Sequence, residues 1–319
     1  MATESSTFPP LVFNVYKPAG AGSQDVVRAL KRALPKGTYG KIGHFGTLDP
    51  FACGVLMVGV GGAARLNDMV HAECPKTYLA RGVLGVATAT GDPEGEVTQR
   101  DLSPYLPNTI GSFDRAFVAQ TLAGFAGEYW QAPPAYSAAK YEGKPLHEWA
   151  RAGVLIKKEK VRRFIHRFEV VEWSFPHLTI RVEVSSGTYI RTLFEEVCHA
   201  LGTIGHLDHL EREAVGPVSK HQAIAMEALP MAGAGVESWL PLGLRPQDVL
   251  IYPRRLLAES ERRGFMNGAA LACMPGEGGE RCWLEESSGA LLGLLARDGD
   301  RWRVEINFAA SNLAGHALK

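Results

Sequence analysis

Hydrophobic and polar residues alternate along several short stretches of this chain, which is the pattern of half-buried β-strands. Residues 76–85, 165–172 and 178–185 repeat with a period of two, and residues 11–15 form another strand-like apolar run. A short turn separates residues 165–172 from residues 178–185. We therefore expect these two stretches to pair as antiparallel strands.

Other stretches have apolar residues three and four positions apart, which is the spacing of amphipathic helices. The first of these helices is predicted to begin with Ser23 as its N-cap and to end at Pro35. Further helices are predicted over residues 63–71, 112–125 and 145–153, and another is predicted to end at residue 201.

The two ends of the chain and one internal stretch have a different composition. Residues 1–10 are rich in Ser, Thr and Pro and are predicted to be disordered. Residues 231–246 contain three glycines and two prolines, which predicts a linker. A small β-domain is predicted beyond it from strand-like runs at residues 281–284, 291–295 and 301–306 and one helix over residues 260–266.

Composition indicates a globular enzyme of ordinary type. Hydrophobic residues make up 46% of the 319 residues and charged residues 21%, which is enough for a sizeable core. No eighteen-residue apolar stretch and no signal-peptide pattern is found, so we expect no membrane span and a cytoplasmic location. The five cysteines contain no Cys-x-x-Cys pair, which favours incidental thiols over a zinc site or disulfides.

Charge is balanced over the whole chain but not along it. Lys and Arg total 34, as do Asp and Glu, whereas RNA-binding proteins usually carry a basic excess. Between residues 140 and 167, however, nine Lys or Arg stand against three Glu. This segment is either a solvated surface or a face that meets a polyanion, and the sequence favours neither.

One glycine-rich segment, residues 43–56, has the composition of a loop built around a carboxylate. Its ionisable side chains, apart from the thiol, are His44 and Asp49. Glycine permits close backbone approach, and Pro50 restricts the backbone of Asp49. On these features alone, the segment is either an ordinary Asp-Pro turn or a site that holds one acid for chemistry.

The whole segment resembles the catalytic loop of the tRNA pseudouridine-55 synthase family. Gly43-His-Phe-Gly-Thr-Leu-Asp-Pro-Phe-Ala-Cys-Gly-Val-Leu56 fills every fixed position of the pattern Gly-His-x-Gly-x-Leu-Asp-Pro-x-Ala-x-Gly-x-Leu. The family's second hallmark is similar to Gly187-Thr-Tyr-Ile-Arg191. Shorter similarities occur at Lys17-Pro-x-Gly-x-x-Ser, Lys76-x-Tyr and Pro133-Pro-x-Tyr-Ser-Ala-x-Lys140.

The resemblance implies an α+β fold of two parts. Residues 11–230 would form a pseudouridine synthase catalytic domain with a mixed, mainly antiparallel sheet. Residues 231–246 would be the linker, and residues 247–319 would form a small β-rich, PUA-like domain that binds RNA. The disordered residues 1–10 would precede the catalytic domain.

The resemblance also implies three catalytic residues for the conversion of uridine to pseudouridine. Asp49 would be the nucleophile, and Arg191 would pair with it and keep it ionised. Tyr189 would lie beside C5 of the base as the final proton acceptor. The chemistry leaves open whether the carboxylate attacks C1′, forms a base adduct or assists glycal formation.

Five further residues are implied to bind the substrate. Tyr78 would stack on the target base, and His44 would fill the space vacated when the nucleotide flips out of the RNA. Leu210 would form an apolar wall of the pocket. Lys140 would lie near the active centre, and Lys17 belongs to the opening motif.

The implied partner is the T-arm stem-loop of tRNA, bound by a monomer that uses no cofactor, metal or membrane. Four residues differ from those that the family commonly has, namely Phe45, Met57, Glu211 and Glu213. The first two read as packing changes. The two glutamates are expected to weaken contacts with phosphate.

Two other classes of function are open to these residues. The first is a catalytically silent RNA-binding or chaperone protein, which the intact Asp49, Tyr78 and Arg191 disfavour. The second is a glycoside hydrolase, which needs two carboxylates facing one bond, whereas the Asp49 loop offers one. His206 and His209 beside Asp208 have a helical spacing of metal ligands, but this alone does not predict a metal site.

Overall fold

The computed structural model describes residues 8–34, 39–274 and 276–308. The strands, in chain order, are β1 (Leu11–Lys17), β2 (Ile42–His44), β3 (Cys53–Val60), β4 (Lys76–Leu84), β5 (Val86–Thr88), β6 (Val97–Arg100), β7 (Gly127–Gln131), β8 (Lys140–Tyr141), β9 (Lys144–Pro145), β10 (Val161–Ser174), β11 (His177–Val184), β12 (Gly205–Val215), β13 (Val218–Ser219), β14 (Ile224–Ala225), β15 (Arg254–Leu256), β16 (Leu271–Ala272), β17 (Arg281–Glu285), β18 (Leu291–Asp298) and β19 (Arg301–Asn307). The α-helices are α1 (Ser23–Ala33), α2 (Asn67–Glu73), α3 (Tyr105–Asn108), α4 (Arg115–Ala123), α5 (Leu146–Arg151), α6 (Ile190–Ala200), α7 (Pro246–Val249) and α8 (Glu259–Met266).

Ten of these strands form one large mixed sheet. Its path runs β14-β1-β3-β12-β4-β11-β10-β7, with β2 beside β3 and β13 beside β12. Paired neighbours are antiparallel except β1 with β14 and β3 with β12. The predicted hairpin forms between β10 and β11. The predicted fold class, α+β with a mixed and mainly antiparallel sheet, is confirmed.

The period of two in the sequence corresponds to the two faces of this sheet. Along β4 and β11 nearly every second residue is buried, whereas all eight residues of β3 are buried. In β3, Leu56 and Val58 pack in the cluster that includes α1, while Val55 and Met57 pack in the cluster that includes α2. Both faces of β3 are therefore covered, which holds the loop before it in place.

Three predicted helix ends are corrected by the structure. Gly22, and not Ser23, is the N-cap of α1, because the Ser23 hydroxyl is used elsewhere in the fold. The predicted helix over residues 63–71 is a 3₁₀ helix, Gly61–Leu66, followed by α2. α4 begins later than predicted because the Asp114 carboxylate caps it by accepting the Phe117 N–H at 2.7 Å.

The predicted C-terminal β-strands form a second sheet of five strands, in the order β15-β17-β18-β19-β16. The predicted helix corresponds to α8. Trp283 and Leu294 of this sheet share one buried apolar cluster with Val55 and Met57 of the large sheet. The two sheets are therefore joined by a common core.

The predicted linker packs against the large sheet. It contains two 3₁₀ helices, Val236–Ser238 and Leu240–Leu242, and between them Trp239 is fully buried with its ring 5.6 Å from that of Phe13. Phe8 is also buried in this cluster. Residues 1–7 of the predicted disordered segment, and the predicted helix end at Pro35, lie outside the described residues. No described helix is long and apolar enough to span a bilayer.

Candidate active site

Asp49 lies in the loop between β2 and β3, and several contacts fix this loop. Ser23 Oγ donates to the Leu48 carbonyl and accepts the Leu48 N–H, both at 2.9 Å. The Ala52 N–H donates to the Asp49 carbonyl at 3.1 Å. Gly46 has a φ of +112°, and a Cβ there would lie 3.3 Å from Lys76 Nζ. The backbone conformation therefore favours glycine at this position.

Arg191 lies at the start of α6, and two of its nitrogens contact the Asp49 carboxylate. Its Nε lies 2.9 Å from Oδ2, and its Nη2 donates to Oδ1 at 3.3 Å. The guanidinium also donates to the carbonyls of Thr90 at 2.6 Å and Tyr136 at 2.9 Å. Arg191 is 5% exposed, whereas the Asp49 side chain is 34% exposed. The arginine is thus buried behind an acid that faces the solvent.

Asp49 and Arg191 line a cavity of about 270 Å³ together with residues that the sequence did not indicate. Asp92, which is buried, has Oδ2 3.3 Å from Arg191 Nη1. Burial, followed by the charges of Asp92 and Asp49, raises the pKa of the Glu94 carboxyl. His147 and Arg151, both from the segment around α5, also line the cavity. In the sequence, residues 92 and 94 stand in a stretch that reads only as turns.

Tyr189, Tyr78 and Leu210 have different surroundings. Tyr189 is half-buried, and Gln131 holds its backbone by accepting its N–H at 2.7 Å and donating to its carbonyl at 2.9 Å. Tyr78 and Leu210 are buried in the same apolar cluster as Leu48, the residue before Asp49. Tyr78, Leu210 and Leu48 thus belong to one buried apolar cluster.

His44 lines a different cleft from Asp49. This cleft, of about 620 Å³, is also lined by Gln24, Lys31 and Lys41. The Nε2 of His44 lies 3.1 Å from the amide nitrogen of Gln24. Burial, followed by the charge of Arg212, lowers the pKa of His44 and favours the neutral ring. The cleft is consequently basic mainly through its two lysines.

The two predicted lysines differ in position. Lys17 is fully buried, and its Nζ donates to the carbonyls of Ala21 at 2.6 Å and Pro50 at 3.2 Å. Burial lowers its pKa to about 8. Lys17 thus holds the loop through these carbonyls, and its contact with a substrate stays a prediction. Lys140 is exposed in the small β8–β9 hairpin and lies outside the residues that line the Asp49 cavity.

The departures from the family pattern have local structural reasons. The buried Phe45 ring occupies the space next to Gly59, where a Cβ would lie 2.5 Å from its Cζ. Met57 is buried in the same cluster as Phe45. Glu211 accepts hydrogen bonds from Tyr16 at 2.8 Å and from a lysine at 2.7 Å. Glu213 pairs with Arg181 at 2.7 Å. Both glutamates are thus bound within the protein, so their expected conflict with phosphate is reduced.

The structure changes two arguments made from the sequence. His206 and His209 lie on strand β12, so the helical spacing of metal ligands does not apply to them. Among the described residues, no group of three or more His, Cys, Asp or Glu side chains could hold a metal ion. The argument against a hydrolase from a single carboxylate also fails, because Asp92 and Glu94 line the same cavity as Asp49.

Comparison with known proteins decides between a hydrolase and a pseudouridine synthase. Residues 31–190 match the family described as TruB family pseudouridylate synthase (N terminal domain). A "tRNA pseudouridine synthase B" of Burkholderia lata is 38% identical over 308 residues, which cover 95% of this chain and 84% of that protein. One from Azoarcus sp. (strain BH72) is 37% identical over 80% of this chain and 81% of that protein.

Solved structures share the fold at lower sequence identity. A chain in the crystal structure of a Cbf5–Nop10–Gar1 complex has a TM-score of 0.67 and 22% identity, covering 98% of this chain and 89% of its own. A chain in an H/ACA RNP bound to a substrate RNA containing 2′-deoxyuridine has a TM-score of 0.62 and 22% identity, covering 95% and 85%. The fold is that of a pseudouridine synthase, and the C-terminal sheet fits a PUA-like domain.

This chain belongs to the TruB family of pseudouridylate synthases. It is therefore an enzyme of the isomerase class, and the alternatives of a silent RNA-binding protein and a glycoside hydrolase are set aside. The predicted family is confirmed.

Proposed function

We propose that this enzyme isomerises uridine 55 in the T-arm loop of tRNA to pseudouridine, with Asp49 as the nucleophile on a flipped-out nucleotide. The relatives named tRNA pseudouridine synthase B, which match most of this chain, support the substrate. The observation that supports Asp49 as the nucleophile is its two-point contact with Arg191 at a cavity open to solvent. A paired and accessible carboxylate is suited to nucleophilic attack.

The reaction needs bond exchange without redox change. The C1′–N1 bond of uridine breaks, the base turns, and C1′ joins C5. The proton on C5 leaves and N1 gains a proton, so that substrate and product are isomers. We propose that Asp49 takes part in bond cleavage and that Tyr189 accepts the C5 proton. Attack at C1′, attack on the base and a glycal route are all compatible with this arrangement.

The remaining predicted residues are proposed to bind the nucleotide and the RNA around it. Tyr78 would stack on the base and Leu210 would close the pocket as an apolar wall; both side chains belong to the apolar cluster that also contains Leu48. His44 would occupy the space left by the flipped nucleotide. Lys31 and Lys41 line the same cleft and would bind phosphates of the RNA. The enzyme would act as a monomer, with no cofactor or metal.

The domain division is also kept as a proposal. The catalytic domain would span residues 11–230 and the PUA-like domain residues 247–319, with residues 231–246 between them. Lys140 and the exposed basic side chains that follow it would meet the RNA backbone.

The two tyrosines are expected to respond differently to the same substitution. Tyr189→Phe removes the proposed proton acceptor, so it should suppress pseudouridine formation while tRNA binding is kept. Tyr78→Phe retains the ring and should have a small effect. Tyr78→Ala should lower the rate or affinity roughly ten- to a hundredfold, since stacking on a base is worth about 1–3 kcal/mol. Single-turnover product formation measures both. Equal, small effects of the two phenylalanine substitutions would contradict the division of roles.

Salt dependence of RNA binding tests the basic segment at residues 140–167. Lys157 and Lys160 are exposed there, whereas Lys158 donates to the Lys140 carbonyl at 2.8 Å. Changing Lys157 and Lys160 together to Gln should lower the slope of log K against log salt by about 0.7–0.9 for each phosphate that the variant no longer neutralises. The matched change to Arg retains both charges and should leave the slope unaltered. An unchanged slope in the Gln variant would mean that the segment is only a solvated surface.

The proposed substrate can be tested in cells. Pseudouridine should be mapped across all RNA in a strain that lacks the gene and in the same strain carrying the wild-type gene. We expect the signal at tRNA position 55 to disappear in the first strain and to return in the second. Retention of that signal, with loss of pseudouridine from another RNA, would refute the substrate and leave the chemistry intact.

A further inference from the structure

Arg212 lies on strand β12 beneath the Asp49 loop and is almost completely enclosed. Its side chain is one of the largest that the fold buries, with 1% of the residue exposed. Its guanidinium donates to three backbone carbonyls of the loop segment: Val55 at 2.7 Å from Nε, Gly46 at 3.1 Å from Nη2 and Thr47 at 3.4 Å from Nη1. Two of these carbonyls precede Asp49 and one follows it. One side chain therefore ties both ends of the loop together.

The backbone of Arg212 is in equally close contact with the loop. Arg212 pairs with Gly54 where β12 runs parallel to β3. Gly54 has a φ of +108°, and a Cβ at this position would lie 2.3 Å from the Arg212 carbonyl oxygen. The chain after Asp49 consequently packs against the Arg212 backbone at Gly54, and the chain before Asp49 is hydrogen-bonded to the Arg212 side chain at Gly46.

The charge of Arg212 has no carboxylate partner within hydrogen-bonding distance in the described part of the chain. The acids on either side of it in sequence face other groups: Glu211 binds Tyr16 and Lys220, and Glu213 binds Arg181 and Lys220. The donors of Arg212 are instead satisfied by the three carbonyls, as buried polar groups must be. A guanidinium this enclosed is also out of reach of RNA phosphate.

We infer that Arg212 is a positioning residue that sets the location of the Asp49 carboxylate through the loop backbone. This inference rests on the proposed function, in which Asp49 reacts with the nucleotide. Arg191 fixes the carboxylate from the cavity side, and Arg212 fixes the backbone from the opposite side. A nucleophile must be held close to its target atom, and a misplacement of about 1 Å can lower a rate about 10²-fold.

Arg212→Gln and Arg212→Lys test this inference in the full-length enzyme. With Gln, we expect the single-turnover rate on tRNA to fall about 10²-fold. With Lys, which can make part of the contacts, we expect an intermediate rate. The Kd for tRNA and its salt slope should not change, because Arg212 touches no phosphate. Arg181→Gln is the control. It removes the half-buried arginine that pairs with Glu213, and it should leave the rate within about twofold of wild type.

Hydrogen exchange supplies a readout that does not depend on catalysis. The N–H groups of Phe45, Leu48 and Ala52 form hydrogen bonds within or beside the loop. They should exchange faster in Arg212→Gln, while amides of α6 keep their wild-type protection. If Arg212→Gln proves too unstable to purify, Arg212→Lys provides the same comparison.

Two results would overturn the inference. The first is a salt slope lowered by about 0.7–0.9 together with weaker tRNA binding, which would make Arg212 a phosphate contact. The second is a wild-type rate and wild-type loop protection in both variants. If instead the wild-type enzyme forms no pseudouridine in tRNA, the proposed function fails, and hydrogen exchange still decides whether Arg212 holds the loop.

Discussion

Asp49→Asn is expected to abolish pseudouridine formation while tRNA binding stays nearly intact. The amide has almost the same shape as the carboxylate, but it cannot act as a nucleophile. Removal of a catalytic nucleophile lowers rates by roughly 10⁴-fold or more. Tritium release from RNA that contains C5-labelled uridine measures the turnover, and a binding titration with the same RNA measures the affinity.

Asp208→Asn is the matched control for this substitution. Asp208 also binds an arginine, Arg81, at 3.0 Å, but it lies outside the Asp49 cavity. It should turn over tRNA at the wild-type rate, which separates loss of the nucleophile from loss of any Asp–Arg pair. If Asp49→Asn keeps turnover within tenfold of wild type, Asp49 is not the nucleophile.

Arg191→Lys is expected to lower the single-turnover rate by roughly 10²- to 10³-fold, the usual effect of losing a preorganised charged donor. Lysine retains the charge but cannot contact both oxygens of Asp49 and the carbonyls of Thr90 and Tyr136 at once. The tRNA Kd should remain close to wild type, because the guanidinium is buried behind Asp49. A wild-type rate in this variant would show that the two-point contact is not needed.

Arg191→Gln should also destabilise the protein, because it leaves the buried Asp92 carboxylate without its cation. Breaking such a pair costs about 3–5 kcal/mol of unfolding free energy. Adding Asp92→Asn removes the uncompensated charge and should restore part of the lost stability, but not the activity. Denaturant unfolding of the two single variants and the double variant measures this. If the double variant recovers no unfolding free energy, the charge of Asp92 is not what destabilises Arg191→Gln.

The sequence indicated Asp49 and Arg191 better than it indicated the groups that surround them. Asp49 and Arg191 stand in long, specific patterns, and the alternation along β4 and β11 predicted the sheet between them. Asp92 was missed because its role depends on a contact with Arg191, a residue 99 positions away in the chain. Local pattern identifies a turn at such a position, and only the packing of the chain shows which side chain the turn meets.

Buried basic residues were the other class that the sequence could not assign. Lys17 stands in a motif that implies substrate binding, and no pattern in the sequence indicates that Lys17 or Arg212 is buried, since a charge is costly to bury. The Asp49 loop directs several carbonyls toward these two side chains. Lys17 and Arg212 are buried because they satisfy those carbonyls.

Element boundaries differed from the predictions where a single side chain decides them. Ser23 has the residue type of an N-cap, but its hydroxyl bonds with Leu48, so Gly22 takes the cap position of α1. The glycines and prolines of residues 231–246 predicted a linker. Trp239 within that stretch is buried against Phe13, because removing a large apolar ring from water lowers the free energy of the folded state.

The central claim is that this chain makes pseudouridine at one position of tRNA by means of Asp49. The most direct measurement incubates purified wild-type protein, and separately Asp49→Asn, with an unmodified full-length tRNA transcript and no added metal or cofactor. Pseudouridine is then located by nucleotide-resolution mapping. We predict complete conversion at position 55 by the wild-type protein and none by Asp49→Asn. Conversion at another position, conversion by both proteins, or no conversion by the wild-type protein would contradict the account.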